Sequence, residues 1–111
     1  MRILSPFFVR RFRGRILNIH PALLPSFPGA HAIRDAWSHG VKVTGVTVHW
    51  VDEGVDTGPI LLQEAVAIRK GETLASLERR IHQVEHRLYP KAIQIVLDGR
   101  ARVSGRKVRL S

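Results

Sequence analysis

The 111-residue sequence contains no cysteine. No disulfide can brace it, no thiolate can ligate a metal, and no thiol can act as a nucleophile. The absence fits a reducing compartment, and a cytoplasmic protein is the expectation. No apolar run approaches the roughly 18 to 20 residues that a membrane-spanning helix needs. The opening from Met1 to Arg11 has the outline of a signal start, but its apolar segment is short and interrupted by Pro6. No small-residue cleavage site follows, so it does not read as a targeting peptide. Acidic residues are scarce, 9 against 18 Lys and Arg, and the resulting charge of +9 invites an anionic partner. The basic residues cluster at Arg10, Arg11, Arg13 and Arg15, and again at Arg100, Arg102, Arg106, Lys107 and Arg109. Neither cluster carries the series of interleaved aromatic residues on which single-strand binders stack bases. A solvated basic surface is therefore favoured over nucleic-acid binding.

What is present reads as one modest domain with 44% hydrophobic content. Ser5-Pro6 is a capping hydroxyl followed by proline, which starts a short helix through Phe7 to Arg13 that closes at Gly14. Arg2 to Leu4 before it resembles the tail of a strand. Arg15 to His20 reads as a buried strand closed by Pro21. His31 to His39 has helical spacing and stops at Gly40. Thr44 to Val51 and Ile60 to Ile68 read as strands, joined by a loop with two glycines, a proline and three carboxylates. Thr73 caps the longest helix, whose buried stripe is Leu74, Leu77, Ile81, Val84 and Leu88. Pro90 is expected to kink or split that helix, which resumes to Gly99. The end is expected to form a hairpin turning at Ser104-Gly105. Strands alternating with helices predict an α/β fold with an open sheet and flanking helices.

The chemistry collects at the end of the first full strand. Asn18 and His20 are two residues apart, so they project on one face while Leu17 and Ile19 take the other. If the next strand runs parallel, its following loop lies beside this end, and Asp56 joins the pair. A carboxylate beside an imidazole favours its protonated form and orients the ring. A donating imidazole with an amide beside it suits an oxyanion on a carbonyl carbon under attack. No serine sits where a nucleophile would be expected, which favours direct transfer between bound substrates. His31 and His49 fall near the same crevice, but their spacing matches no zinc pattern and no metal site is expected. For Asn18 and His20 the plainer reading is a turn cap and a satisfied core histidine.

The segment Asn18-Ile-His-Pro-Ala-Leu-Leu-Pro-Ser-Phe-Pro-Gly29, with Thr44-Gly-Val-Thr-Val-His49 and Asp52-Glu-Gly-Val-Asp-Thr-Gly-Pro59, resembles the glycinamide ribonucleotide formyltransferases of purine synthesis. The resemblance runs through Glu85-His-Arg-Leu-Tyr-Pro90 and covers essentially the whole chain. It implies transfer of a formyl group from 10-formyltetrahydrofolate to the amine of glycinamide ribonucleotide, without a metal. Asn18, His20 and Asp56 match the catalytic trio. The resemblance gives His20 the formyl oxygen, Asn18 the tetrahedral intermediate, and Asp56 the His20 proton and the relay of the amine's proton. Arg2, Ile3 and Leu4, with Asn18 and Val51, Asp52, Glu53 and Asp56, match segments that hold the folate. Glu85 matches a helix residue that contacts the ribonucleotide. The plainer readings are loop solvation for Asp52 and Glu53, and a surface charge for Glu85.

Two related families share the trio. Methionyl-tRNA formyltransferases usually continue with Ala-Ser-Leu-Leu-Pro, and formyltetrahydrofolate deformylases differ after the histidine and at Pro28-Gly29; both resemble this chain less. A non-catalytic basic interaction module is the remaining alternative. Nothing here resembles the family's amino-terminal mononucleotide-binding half with its glycine-rich phosphate loop. The expectation is that residues 1–111 are the carboxy-terminal half of a formyltransferase-type domain, incomplete without that half supplied in cis or in trans. Alone, such a chain would expose a sheet edge, fold poorly or self-associate, and turn over little.

Overall fold

The computed structural model describes residues 4–111. Arg2 and Ile3, assigned above to a strand tail and the folate site, lie outside the described residues. Helix α1 spans Pro6–Arg11, and the Ser5 hydroxyl accepts from the Phe8 amide at 3.2 Å. It ends earlier than Arg13, at Phe12, and Gly14 serves the following turn with φ +76°. Val9 faces inward, while Phe7, Phe8 and Phe12 are exposed. Strand β1 is Leu17–His20, α2 is Ala32–His39, β2 is Val43–Trp50 and β3 is Ile60–Ala67. Helix α3 spans Leu74–Leu97, and Ala101–Ser104 (β4) and Lys107–Leu110 (β5) close the chain as a hairpin. Its turn is Gly105-Arg106, one residue later than expected.

The α/β expectation holds, with helices flanking an open sheet, but the parallel pairing does not. β1 and β2 are antiparallel, with Asn18 opposite His49 and His20 opposite Thr47. β2 and β3 are antiparallel as well, in the order β1-β2-β3. The reason lies in the connection after β1, which folds back over the same end of the sheet instead of travelling its length. The Thr47 hydroxyl donates to the Ala22 carbonyl at 2.7 Å and accepts from the Leu24 amide at 3.2 Å. Gln63 Nε2 adds bonds to the Leu24 carbonyl at 2.9 Å and the Thr47 hydroxyl at 3.0 Å. These bonds staple residues 22–24 to one face of β2. β2 is buried along nearly all its length, and such continuous burial from sequence alone reads as a parallel strand. Here α3 covers one face and the stapled loop the other.

Side chains at paired positions share a face, so the sheet has a polar and an apolar side. Asn18, His20, Thr47 and His49 stand on one. Val46 and Val48, with Leu17 and Ile19, lie on the other, in the cluster with Leu77, Ile81, Leu88, Ala92 and Ile95 of α3. Burying each large aliphatic side chain contributes roughly 1.5–3 kcal/mol. Tyr89 donates its hydroxyl to the Leu17 carbonyl at 3.0 Å, and Arg87 pairs with Glu64 on β3. The Arg87 hydrogen bond holds the Glu64 carboxyl below its usual range. Pro90 does not split α3, which runs continuously through it. His86 and Pro90 are both exposed, so the carbonyl freed by the missing donor lies on the water side of the helix.

Candidate active site

Because β2 leaves the sheet beside Leu17, its following loop starts at the opposite end of β1 from His20. It must fold back across Asn18 to deliver Asp56. The loop closes at its base through Trp50 N–H donating to the Pro59 carbonyl at 3.0 Å. A Cβ on Gly58 would lie 1.7 Å from the Trp50 carbonyl oxygen, so only glycine fits that crossing. Asp52 accepts from the Gly54 amide at 3.0 Å and from the Thr57 hydroxyl, which sets the turn. Asp56 itself has φ +55°, a conformation that L residues seldom adopt. Between Val48 and His49 the register against β3 slips by one residue. Slips of this kind re-aim side chains at sheet ends.

The result is a carboxylate set between two imidazoles. Asp56 Oδ2 lies 3.5 Å from His20 Nδ1, and Oδ1 lies 3.7 Å from His49 Nε2. The Gly29 amide donates to Oδ2 at 2.8 Å. The Asp56 side chain is only 4% exposed, and the two rings are 1% and 2% exposed. His20 donates from Nε2 to the Phe27 carbonyl at 2.8 Å, and His49 donates from Nδ1 to the Trp50 carbonyl at 2.8 Å. Those two bonds fix both tautomers, so each ring turns its remaining nitrogen toward Asp56. A proton placed on either nitrogen lies between ring and carboxylate.

Asn18 Nδ2 lies 3.5 Å from His49 Nε2 and keeps its amide toward a cavity of about 230 Å³. Leu4, Val9, Ile16 and Leu17 form the apolar part of the wall, and Asn18, His49 and the Val51–Asp56 segment form the rest. Of the residues read from sequence as folate-binding, Leu4, Asn18, Val51, Asp52, Glu53 and Asp56 all line it. Glu53 is also paired with Arg10 and Arg13, each at 3.6 Å, which ties α1 to the loop. His20 is not on the wall; it stands behind Asp56 with its outward nitrogen engaged by Phe27. His49 was placed near the crevice by its sequence position alone, and its part in the cluster comes from lying opposite Asn18. His31 is exposed at the N-cap of α2 and lines no part of the cavity. Glu85 is partly buried on α3, 3.7 Å from His82. Burial pushes its carboxyl up, against the opposing pull of His82, His86 and His20. Among the described residues no three His, Cys, Asp or Glu side chains gather as a metal site.

The family model described as formyl transferase matches residues 1–93. The phosphoribosylglycinamide formyltransferase of Bacillus subtilis is 50% identical over 97 residues, which is 87% of this chain and 50% of that protein. The human trifunctional purine biosynthetic protein adenosine-3 is 52% identical over 99 residues, 89% of this chain and 10% of that protein. In solved structures, glycinamide ribonucleotide transformylase 1 from Symbiobacterium toebii superposes with a TM-score of 0.94 at 53% identity, covering 99% of this chain and 52% of that one. A formyltetrahydrofolate deformylase from Pseudomonas syringae pv. tomato superposes at 0.92 with 33% identity, covering 99% and 37%. The chain thus spans about half the length of the single-function transferase relative from Bacillus subtilis. With a family match over most of its length and an identity of 50% to that relative, the chain belongs to the formyl transferase family.

Proposed function

We propose that residues 1–111 form one incomplete domain that carries the reacting groups and most of the folate pocket for formyl transfer from 10-formyltetrahydrofolate to the amine of glycinamide ribonucleotide. The observation that carries this reading is the convergence of Asn18 and Asp56 on one cavity wall, with the His20 ring 3.5 Å behind the carboxylate. The amine nitrogen attacks the formyl carbon and places negative charge on the formyl oxygen. Asn18 donates its amide N–H to that oxygen as the tetrahedral intermediate forms. His20, which the family resemblance makes the second donor, lines no part of the cavity in this conformation, and to reach the formyl oxygen its ring must leave the Phe27 carbonyl and turn past Asp56. Asp56 accepts the ammonium proton of the attacking amine and keeps it beside the two imidazoles. Collapse breaks the bond from carbon to the folate nitrogen, which takes up that proton as it leaves. Glu85 is the group for the ribonucleotide, and the other half of the domain supplies the phosphate contacts, in cis or in trans. A cytoplasmic location fits purine synthesis; no helix among the described residues is long and apolar enough to cross a membrane.

The test uses a hybrid in which residues 1–111 replace the corresponding half of the Bacillus subtilis relative. Consumption of 10-formyltetrahydrofolate should require glycinamide ribonucleotide, and His20→Ala should lower turnover by about 100-fold or more while calorimetry still detects folate binding. Equal consumption without the ribonucleotide would instead identify a hydrolase, the chemistry named for the deformylase relative. A His20→Ala rate equal to that of the parent would remove His20 from the mechanism.

A further inference from the structure

We infer that Arg106 is a positioning residue for the Asp56 loop: from the tip of the β4–β5 hairpin its guanidinium holds the loop in the conformation that presents Asp56. This rests on the formyl-transfer reading for its consequence, though not for its geometry. Arg106 Nη2 donates to the Thr57 carbonyl at 2.8 Å, across 49 residues of sequence. Thr57 directly follows Asp56, so that carbonyl sits one peptide from the residue with φ +55°.

The guanidinium comes from a fixed base. The hairpin turns through Gly105 with φ +60° and Arg106, a two-residue turn that needs glycine at its first position. At its open end the Arg100 and Ser111 backbones pair at 2.9 Å, and Arg100 N–H donates to the Ile95 carbonyl of α3 at 3.1 Å. Ala101 and Val108 pack on the main core. The hairpin is thus an arm rooted on α3 and reaching the loop, and it lies beyond the residues 1–93 that the family model matches.

The loop also has somewhere to go. Asp56, Thr57 and Gly58 line a largely apolar cavity of about 380 Å³ together with Leu24, Pro25, Pro28 and Arg106. Without the guanidinium, the Thr57 carbonyl loses its donor and the segment can relax into that space, drawing Asp56 away from His20 and His49. The Asp56 carboxylate is held by the Gly29 amide and the two imidazoles, and the Thr57 hydroxyl by Asp52, but among the described residues the Thr57 carbonyl has Arg106 as its donor.

Two measurements on the same hybrid enzyme test this. Arg106→Ala should raise amide hydrogen exchange in the peptide covering residues 53–59 and leave the peptide of α3 unchanged. It should lower kcat on the order of 10-fold, short of the roughly 100-fold that a 1 Å misplacement can cost, with KM for glycinamide ribonucleotide changing much less. Arg106→Lys should recover part of the loss, and free guanidinium ion should rescue Arg106→Ala in a concentration-dependent way. A merely stabilising contact would give neither rescue nor a kcat-selective loss. Unchanged exchange at 53–59, or a kcat for Arg106→Ala within about twofold of the parent, overturns the inference. If the parent hybrid transfers no formyl group, the functional reading fails, while the exchange measurement still decides whether Arg106 holds the loop.

Discussion

Adjacent residues of β1 and β2 enter two different environments. On one side Leu17, Ile19, Val46 and Val48 meet the aliphatic stripe of α3. On the other, Asn18, His20, Thr47 and His49 meet backbone carbonyls, a carboxylate and a cavity. Along β2 both sides are buried, so burial by itself does not separate core from chemistry. What separates them is how each buried group is satisfied. The apolar side needs only volume, and its contribution is stability. The polar side satisfies nearly every atom with a bond of fixed direction, and its contribution is a held geometry. Thr44 stands on the apolar side, in line with Val46 and Val48, and its buried hydroxyl has no partner among the described residues.

The contrast breaks if both sides respond alike to mutation. The largest effect should come from the apolar side. Leu77→Ala removes a fully buried side chain and should cost about 3 to 4 kcal/mol in denaturant unfolding. Turnover per folded molecule should stay unchanged. Thr47→Val keeps the volume but removes the hydroxyl that bonds Ala22 and Leu24; a loss of about 2 kcal/mol is expected. Unlike Leu77→Ala, it should also lower turnover, because residues 22–29 carry the Phe27 and Gly29 groups that bind His20 and Asp56. Thr44→Val should do the opposite and stabilise by about 1 kcal/mol, since it removes an unpartnered buried hydroxyl. A loss there would reveal a partner for that hydroxyl.

The smallest effect is a pH dependence at Glu85. Its folded carboxyl is raised by burial, so the folded state favours the protonated form. The ionised side chain therefore costs stability at about pH 7, and that cost disappears as pH falls through the folded value and below the ordinary carboxylate range near 4.3. Glu85→Gln should raise Tm at neutral pH and lose that advantage in acid. An advantage that grows in acid would reverse the sign assigned to burial.

Much of this could be read from the sequence, and the parts that could not share a cause. The stripe Leu74, Leu77, Ile81, Val84 and Leu88 marked α3 because helix periodicity is local. Ser5-Pro6 and Thr73 marked helix starts for the same reason, and the period of two put Asn18 and His20 on one face. Strand direction was missed because it depends on Thr47 and Gln63 bonding the backbone of residues 22–24, a tertiary event with no local pattern. The continuity of α3 through Pro90 depends on which side of the helix meets water. His49 gained its place from pairing opposite Asn18, which required the antiparallel register. The motif resemblance brought Asp56 to His20 despite the wrong strand direction, because the loop folds back over the sheet.

Gly58 sets a limit of another kind. With the Trp50 carbonyl oxygen 1.7 Å from where a Cβ would stand, neither alanine nor serine fits without moving the strand end. Every amino acid other than glycine adds that atom. The position is thus an isolated point in sequence space, reached by no gradual series of substitutions and left by none. Neighbours such as Glu53 and Val55 can drift in size and charge, and the loop's chemistry can be retuned through them. Its path across the sheet cannot, and any descendant that moves Asp56 must first find a different way around Trp50.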